Sequence, residues 1–164
     1  MITEDRLRTG IISSISVGMN ISLAYVHRIA QLGFVNSAIE TSSSLSMIEK
    51  LSIKTPSLKQ RIGALSGGNQ QKSIVARWLL TDPKILILDE PTRGIDVSSK
   101  SEIHRLISTL AGRGIAIVMI SSELPEILGM SDRIMVVREG RLVADIEREN
   151  ADQQTLLLHA FGTQ

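Results

Sequence analysis

Four aliphatic residues in a row, Ile85-Leu86-Ile87-Leu88, run directly into two carboxylates, Asp89 and Glu90. An unbroken aliphatic run of this length reads as a parallel-type strand buried on both faces, which requires helices packed on either side of a sheet. Open α/β sheets place their ligands at the carboxyl ends of such strands, where Asp89 and Glu90 fall. Upstream lies Leu65-Ser66-Gly67-Gly68-Asn69-Gln70-Gln71-Lys72, a polar, glycine-bearing turn ahead of a helix-forming run from Gln70 to Leu80. A helix start offers free backbone N–H groups and a partial positive charge, and Gly67 and Gly68 let an anion approach the backbone closely. Phosphate donors and a carboxylate pair on one short segment point to nucleoside triphosphate chemistry.

LSGGNQQ followed by ILILDEPTRGID resembles the signature motif, Walker B strand and D-loop of ATP-binding-cassette (ABC) ATPases. Glu4-Asp5-Arg6…Gly10 and Ser121-Ser122-Glu123-Leu124-Pro125-Glu126 narrow the resemblance. They are similar to the second cassette of the double-cassette subunits that power bacterial importers of ribose, galactose and similar simple sugars. The resemblance runs along essentially the whole chain, and several motifs in one order leave chance recurrence negligible. It implies an α/β architecture: a partial P-loop NTPase (ABC-type) core with an inserted helical subdomain. Residues 1–164 would form one incomplete nucleotide-binding domain. Residues 14–81 would be the helical subdomain ending in the signature helix, and residues 82–164 the remaining core.

One expected part is missing. A complete cassette carries a phosphate loop, G-x-x-x-x-G-K-[ST], and its nearest mimic here, Gly63 to Gly68, has Asn69 where the lysine would stand. The resemblance sets residue 1 just before the Q-loop, so the Walker A region and the aromatic that stacks on adenine are expected to be absent. The Ile85–Leu88 strand, normally beside the strand that leads into the phosphate loop, is then expected to be left as an open aliphatic edge, so that the chain either associates through it or rearranges its sheet.

The resemblance also assigns roles. Asp89 would hold Mg²⁺ through water, and Glu90 would be the general base for the water that attacks the γ-phosphate. Glu4 takes the Q-loop position, touching the metal and the attacking water. Ser66, Gly67 and Gly68 would bind the γ-phosphate held by the opposite cassette, with Asp96 in the D-loop. Ser122 stands where most cassettes carry the switch histidine, and a hydroxyl cannot supply the charge of an imidazolium. ATP and Mg²⁺ are the implied cofactors. The implied partners are transmembrane permease subunits, a second cassette in a composite dimer and, indirectly, a periplasmic sugar-binding protein. The implied place is the cytoplasmic face of the cell membrane.

Composition bounds the alternatives. A net charge of +1, with no basic cluster or aromatic interleaving, gives no electrostatic case for nucleic acid. There is no cysteine, hence no disulfide framework or thiolate metal site. No apolar run approaches the roughly 20 residues that span a bilayer, and the start lacks a signal-peptide core. The expected chain is soluble, intracellular, and meets a membrane only through a partner. Two rivals stand beside the transport reading: a cassette fragment with no nucleotide binding of its own, and a DNA-repair type ABC ATPase, which would need heptad arms or a basic face.

Local signals give the remaining elements. Ile2 and Thr3 read as the tail of a strand. Val17, Ile21, Leu23, Ala24 and Val26 begin one helical face, and Asn36 caps a second helix carrying Ile39, Leu45, Ile48 and Leu51. Trp78, Leu79 and Leu80 read as core. Asp96 caps a helix to about Ala111, Ile115–Ile120 reads as a second buried strand, and Glu123–Met130 as a short helix. A hairpin of 133–138 and 141–146 crosses Glu139-Gly140. Asn150 or Asp152 caps a last helix with Leu156, Leu157, Leu158 and Phe161 on its apolar side. His27, His104 and His159 read as ordinary helix-surface residues.

Overall fold

The computed structural model describes residues 1–31 and 33–162. It is of mixed helix and strand and divides into two compact units, Met1–Val118 and Met119–Gln164. Among the described residues no helix is long and apolar enough to cross a membrane.

The first unit is built around α4 (Gly67–Leu79), ten of whose thirteen residues are buried. Ile74, Val75, Ala76 and Leu79 supply its apolar contacts, and the core continues through Ile11, Val17, Ile21, Ile62, Ile103 and Ile107. α1 (Val17–Ser22), capped by Ser16, packs on α4 and on α3 (Ser37–Lys50). Asn36 caps α3 as its side chain predicts, accepting the N–H groups of Ala38 and Ile39. Ile39 and Leu45 on α3 are exposed, however, so its expected apolar face is only partly used. Between α1 and α3 lie a single turn, α2 (Val26–Ile29), and a two-residue ladder that the sequence did not announce. That ladder pairs β1 (Ala30–Gln31) antiparallel with β2 (Phe34–Val35).

A buried polar knot joins α1 to α4. The Arg77 guanidinium donates to the carbonyls of Asn20 (2.6 Å) and Gly10 (2.7 Å) and to Asn20 Oδ1 (2.9 Å). The fully buried Asn20 amide in turn accepts from the Ile12 N–H and donates to the carbonyls of Ile12 and Ser16. A buried cation needs such acceptors, because without them its desolvation would go uncompensated; burial does lower the Arg77 pKa.

β3 (Ile85–Asp89) and β4 (Ala116–Ile120) form a two-stranded sheet. The expectation of strands buried on both faces is corrected. Leu86 and Leu88 are buried while Ile85 (62%) and Ile87 are exposed, and β4 likewise exposes Ala116 and Val118. Only one face of this sheet is covered, so burial alternates with the pleat. The expected open edge is corrected as well. The Ile2 N–H donates to the Ile87 carbonyl and the Asp89 N–H to the Ile2 carbonyl, a parallel bridge. Just ahead of β3 the Lys84 carbonyl accepts from the Ala116 N–H. Odd and even residues of a strand turn their backbone groups to opposite edges. Ile2 and β4 therefore flank β3 on its two sides, and the open edge of the sheet belongs to β4.

Leu79 is buried as expected, while Trp78 and Leu80 are only partly so. α5 (Val97–Gly112) follows β3 and turns Ile103, Ile107 and Leu110 inward.

The second unit holds α6 (Leu124–Met130), the antiparallel hairpin of β5 (Arg133–Arg138) and β6 (Arg141–Glu147), and α7 (Gln153–Phe161). The hairpin turns at Glu139 (φ 50°) and Gly140 (φ 75°), the paired left-handed residues of a type I′ turn. Arg133 Nε donates to Asp145 Oδ1 across the strands at 2.6 Å. Ile134, Ala151 and Leu156 are the buried centre, covered by Leu124, Ile127, Leu128, Val136 and Ile146. Asp152, not Asn150, caps α7 by accepting the Thr155 N–H. Of the four apolar residues expected inside, only Leu156 is buried; Leu157, Leu158 and Phe161 are exposed.

Candidate functional site

The site begins with the segment after Ile2. Asp5 accepts the N–H groups of Leu7 (3.1 Å) and Arg8 (3.0 Å), starting a single wide turn, Arg6–Gly10. That turn carries the Arg6 side chain to three other segments at once. Its Nε donates to Gln70 Oε1 of α4 at 3.0 Å, and its terminal nitrogens reach the carbonyls of Arg93 (3.4 Å) and Gly94 (3.5 Å). Partial burial lowers the Arg6 pKa, against the opposing charge of Asp5. Glu4 forms an ion pair with Arg93. Glu4, Asp5, Arg6, Leu7, Arg8 and Arg93 line a cavity of about 480 Å³.

The start of α4 differs from its sequence reading. The helix opens at Gly67 rather than Gln70, with Ser66 at the N-cap backbone position but making no capping bond through its side chain. The Ser66 hydroxyl instead accepts from the Asn69 amide (2.9 Å), whose oxygen accepts the Lys54 N–H (2.8 Å). The first turn of α4 thus keeps N–H groups that no Ser66 cap satisfies, and Ser66 itself is exposed.

Both glycines are needed for closeness. A Cβ at Gly68 would lie 2.4 Å from Ser99 Oγ, and one at Gly67 would lie 3.1 Å from Arg6 and from Ile95. Ser99 is placed by Asp96, the N-cap of α5. One Asp96 oxygen accepts from the Ser98 hydroxyl (2.6 Å) and the Ser99 N–H (2.9 Å), the other from the Ser99 hydroxyl (2.7 Å). These donors, Ser98 first, hold the Asp96 carboxyl well below the usual carboxylate range.

Asp89 and Glu90 sit at the carboxyl end of β3, each partly buried. The Asp89 N–H is held by the Ile2 carbonyl (3.0 Å), which sets it beside Thr3 and Glu4. Glu90 adopts φ 48°, a left-handed conformation that costs a non-glycine residue roughly 1–2 kcal/mol. Its carbonyl accepts the Arg93 N–H at 3.1 Å, and Pro91 and Thr92 are buried beneath this turn. Strain held by a well-packed turn next to a carboxylate pair is characteristic of functional sites.

Of the residues singled out in the sequence, Glu4, Gly67, Gly68 and Asp96 are tied into one cluster through Arg6, Arg93 and Ser99. Asp89 and Glu90 adjoin it through Ile2 and the 90–93 turn. Ser122 is exposed and lies in the second unit. Arg6, Gln70, Arg93 and Ser99 were not picked out as site residues. Nothing local marks Arg6 as the partner of Gln70, 64 positions away. Among the described residues no group of three or more His, Cys, Asp or Glu side chains could hold a metal ion by itself. A carboxylate pair suits Mg²⁺, which keeps several waters and takes its other ligands from phosphates.

The sequence profile described as ABC transporter matches residues 5–93, more than half of the chain. A Pseudomonas syringae protein named for ribose/galactose/methyl galactoside import, as its ATP-binding protein, is 53% identical over 99% of this chain and 31% of its own length. The ribose import ATP-binding protein RbsA of Rhodococcus jostii is 46% identical over 100% and 33%. The xylose import ATP-binding protein XylG of Thermoanaerobacter pseudethanolicus is 47% identical over 98% and 32%. The chain therefore spans about a third of the length of these curated relatives. Among solved structures, the dimeric post-hydrolysis cassette MJ0796 bound to ADP and Pi superposes with a TM-score of 0.70 at 19% identity, covering 87% of this chain and 60% of that one. An inward-facing metal-chelate type ABC transporter gives 0.81 at 18% identity, covering 98% and 62%. With more than half of its residues matched by the family profile and with relatives about half identical along nearly all of its length, the chain belongs to the ABC transporter family.

Proposed function

We propose that these residues form part of a cassette in an ATP-binding subunit that energises carbohydrate import through a membrane permease. Cassettes of this family work with ATP and Mg²⁺, and import subunits pair with permeases and dimerise as cassettes. The observation that carries the reading is the cluster around Arg6, where one guanidinium holds the Glu4 segment, the signature helix and the D-loop together.

In that setting the chain serves two nucleotides. Ser66, Gly67 and Gly68, at an α4 start with uncapped N–H groups, and Asp96 in the D-loop face the γ-phosphate of an opposite cassette. Asp89 and Glu4 attend the metal side of this cassette's own nucleotide, where Mg²⁺ supplies charge neutralisation for the phosphates. Glu90 accepts a proton from the attacking water, and Ser122 contributes at most a hydrogen bond where other cassettes place an imidazole. Residues 14–81 act as the helical subdomain and residues 82–164 as the rest of the core. Exposed Met19, Leu23, Phe34, Val35, Ile39 and Leu45 give the subdomain the apolar surface for a permease at the inner face of the membrane. A sugar-binding protein acts upstream of that permease.

Without a phosphate loop these 164 residues are not expected to turn over ATP by themselves. The test is a chimera in which they replace the aligned segment of Rhodococcus jostii RbsA. ATP-driven ribose uptake is expected, with Glu90→Gln cutting turnover by about a hundredfold or more, the scale of a lost general base, and Ser66→Arg by about a hundredfold through the lost phosphate contact. Uptake indifferent to both substitutions would reject the reading. Nucleotide trapping, mapped to each cassette by crosslinking, should place the two defects in different ATP sites; a shared site would overturn the composite assignment.

A further inference from the structure

The loop that leaves α3 is fastened to the first turns of α4 by two side chains. Asn69 Oδ1 accepts the Lys54 N–H at 2.8 Å, and the buried Lys72 ammonium donates to the Ser52 carbonyl at 3.2 Å. Ile53, between the two fastened residues, is buried. The Lys54 bond settles which way round the Asn69 amide sits, since an amide's oxygen and nitrogen are told apart by their partners. A backbone N–H can only donate. The atom facing Lys54 is therefore the amide oxygen, and the atom 2.9 Å from Ser66 Oγ is the amide nitrogen. That nitrogen has no lone pair to offer, so it donates to Ser66 Oγ and the Ser66 hydroxyl proton must point elsewhere. Ser66 is exposed, which leaves that proton to an acceptor outside the chain.

We propose that Asn69 is a positioning residue that holds the Ser66 hydroxyl as a donor to a phosphate oxygen of the nucleotide on the opposite cassette. Its amide, oriented by the Lys54 N–H, occupies one acceptor lobe of Ser66 Oγ and so turns the hydroxyl proton outward. The backbone N–H groups at the start of α4 then act together with a side-chain donor. The orientation of that donor is set by the loop at the end of α3, through Lys54. The proposal rests on the composite-site reading and goes beyond it by naming what orients the phosphate-facing hydroxyl.

Asn69→Asp in the RbsA chimera tests this, alone and combined with Ser66→Ala. Aspartate keeps an acceptor for the Lys54 N–H, and a carboxylate suits the first turn of a helix, so the fold should hold. Facing Ser66, however, it is an acceptor, and the Ser66 hydroxyl turns inward to donate to it. ATP turnover should fall at least about tenfold while Ser66 is present, on the scale of a lost oxyanion-type donor. In the Ser66→Ala background the same substitution should cost less than about twofold, because the hydroxyl it acts through is gone. Equal losses in both backgrounds would mean that the new charge repels phosphate directly. No loss in either would mean that Asn69 only ties down the loop. Each result would overturn the proposal. Ser66→Ala alone is the control on the composite-site reading: unchanged turnover would reject that reading and this proposal with it, whereas a loss there with an additive Asn69 effect rejects the proposal alone. Should Asn69→Asp fail to fold, Asn69→Ala closes the same cycle, with a Ser66-dependent loss again expected. A second measurement needs no turnover. In the chain itself, amide exchange at Lys54 should quicken in Asn69→Ala and stay slow in Asn69→Asp. Exchange that quickens in neither variant, or in both while each melts like the parent, would show that Lys54 does not orient the amide and would overturn the proposal.

Discussion

Arg6 and Gly68 show how much of the site depends on single positions. Arg6 is placed by the Asp5-capped turn and spends its donors on Gln70 and on the carbonyls of Arg93 and Gly94. Arg6→Ala should destabilise the first unit by about 1–2 kcal/mol, a value discounted for partial exposure. Amide exchange over residues 67–71 and 93–96 should quicken, while residues 133–147 keep their protection; uniform acceleration would mean that Arg6 has no local role. Gly68 is a question of space. Gly68→Ala would set a methyl group 2.6 Å from Ser99 Cβ, so α4 and α5 must separate or Ser99 must abandon Asp96. Overpacking of this kind costs about 1–3 kcal/mol, or about 2–4 °C of melting temperature per kcal/mol in a chain of this size. Pairing it with Ser99→Gly should recover part of the loss, and an unchanged melting curve would show that the helices part freely.

At the level of elements, α4 is the shared support. Its start faces the D-loop, its middle fills the core, and its last turn sends Arg77 to Asn20 and Gly10. The same helix holds Lys72, whose buried ammonium pairs with Glu102 of α5 at 2.6 Å and donates to the Ser52 carbonyl. Asn20→Ala would remove one acceptor from Arg77 and strand the Ile12 N–H, so a loss of about 3 kcal/mol is expected in chemical denaturation. A loss under 1 kcal/mol would mean that water replaces the amide. The helix caps, by contrast, follow local rules. Asn36, Asp96 and Asp152 were each legible because a side-chain oxygen and an N–H two or three residues on share one turn. The Glu139-Gly140 hairpin was legible for another local reason: a glycine beside a polar residue between two strand-forming runs suits a tight turn of two left-handed residues.

Across the whole molecule these carboxylates set the response to acid. Asp96, Glu102, Asp145 and Asp152 all have lowered pKa values, through Ser98 and Ser99, Lys72, Arg133 and Thr155 respectively. A lowered folded-state pKa means that the unfolded chain binds the proton first. The stabilisation is therefore present above the unfolded value near pH 4 and is lost as the pH falls through the folded values. The melting midpoint should be flat between about pH 5 and 8 and drop below about pH 4, with Asp96→Asn blunting that drop. A midpoint that held to pH 2 would show that the caps contribute nothing.

The caps, most of the helix and strand segments and the family were legible in the order of residues, because each rests on chemistry within a few positions or on a spelling too long to recur by chance; the β1–β2 ladder and the start of α4 at Gly67 were not. Three things were decided only by the tertiary structure. Strand order was one: which neighbour takes each edge of Ile85–Leu88 depends on Ile2, more than eighty positions away. The extent of burial was another, since ILIL reads as a core strand whether or not a second layer covers its outer face. The last was the Arg6 cluster, whose partners at positions 70, 93 and 94 meet only when α4 and the D-loop are packed. Local backbone preference is written in neighbouring residues, whereas the pairing of distant polar groups is set by which surfaces the fold brings together.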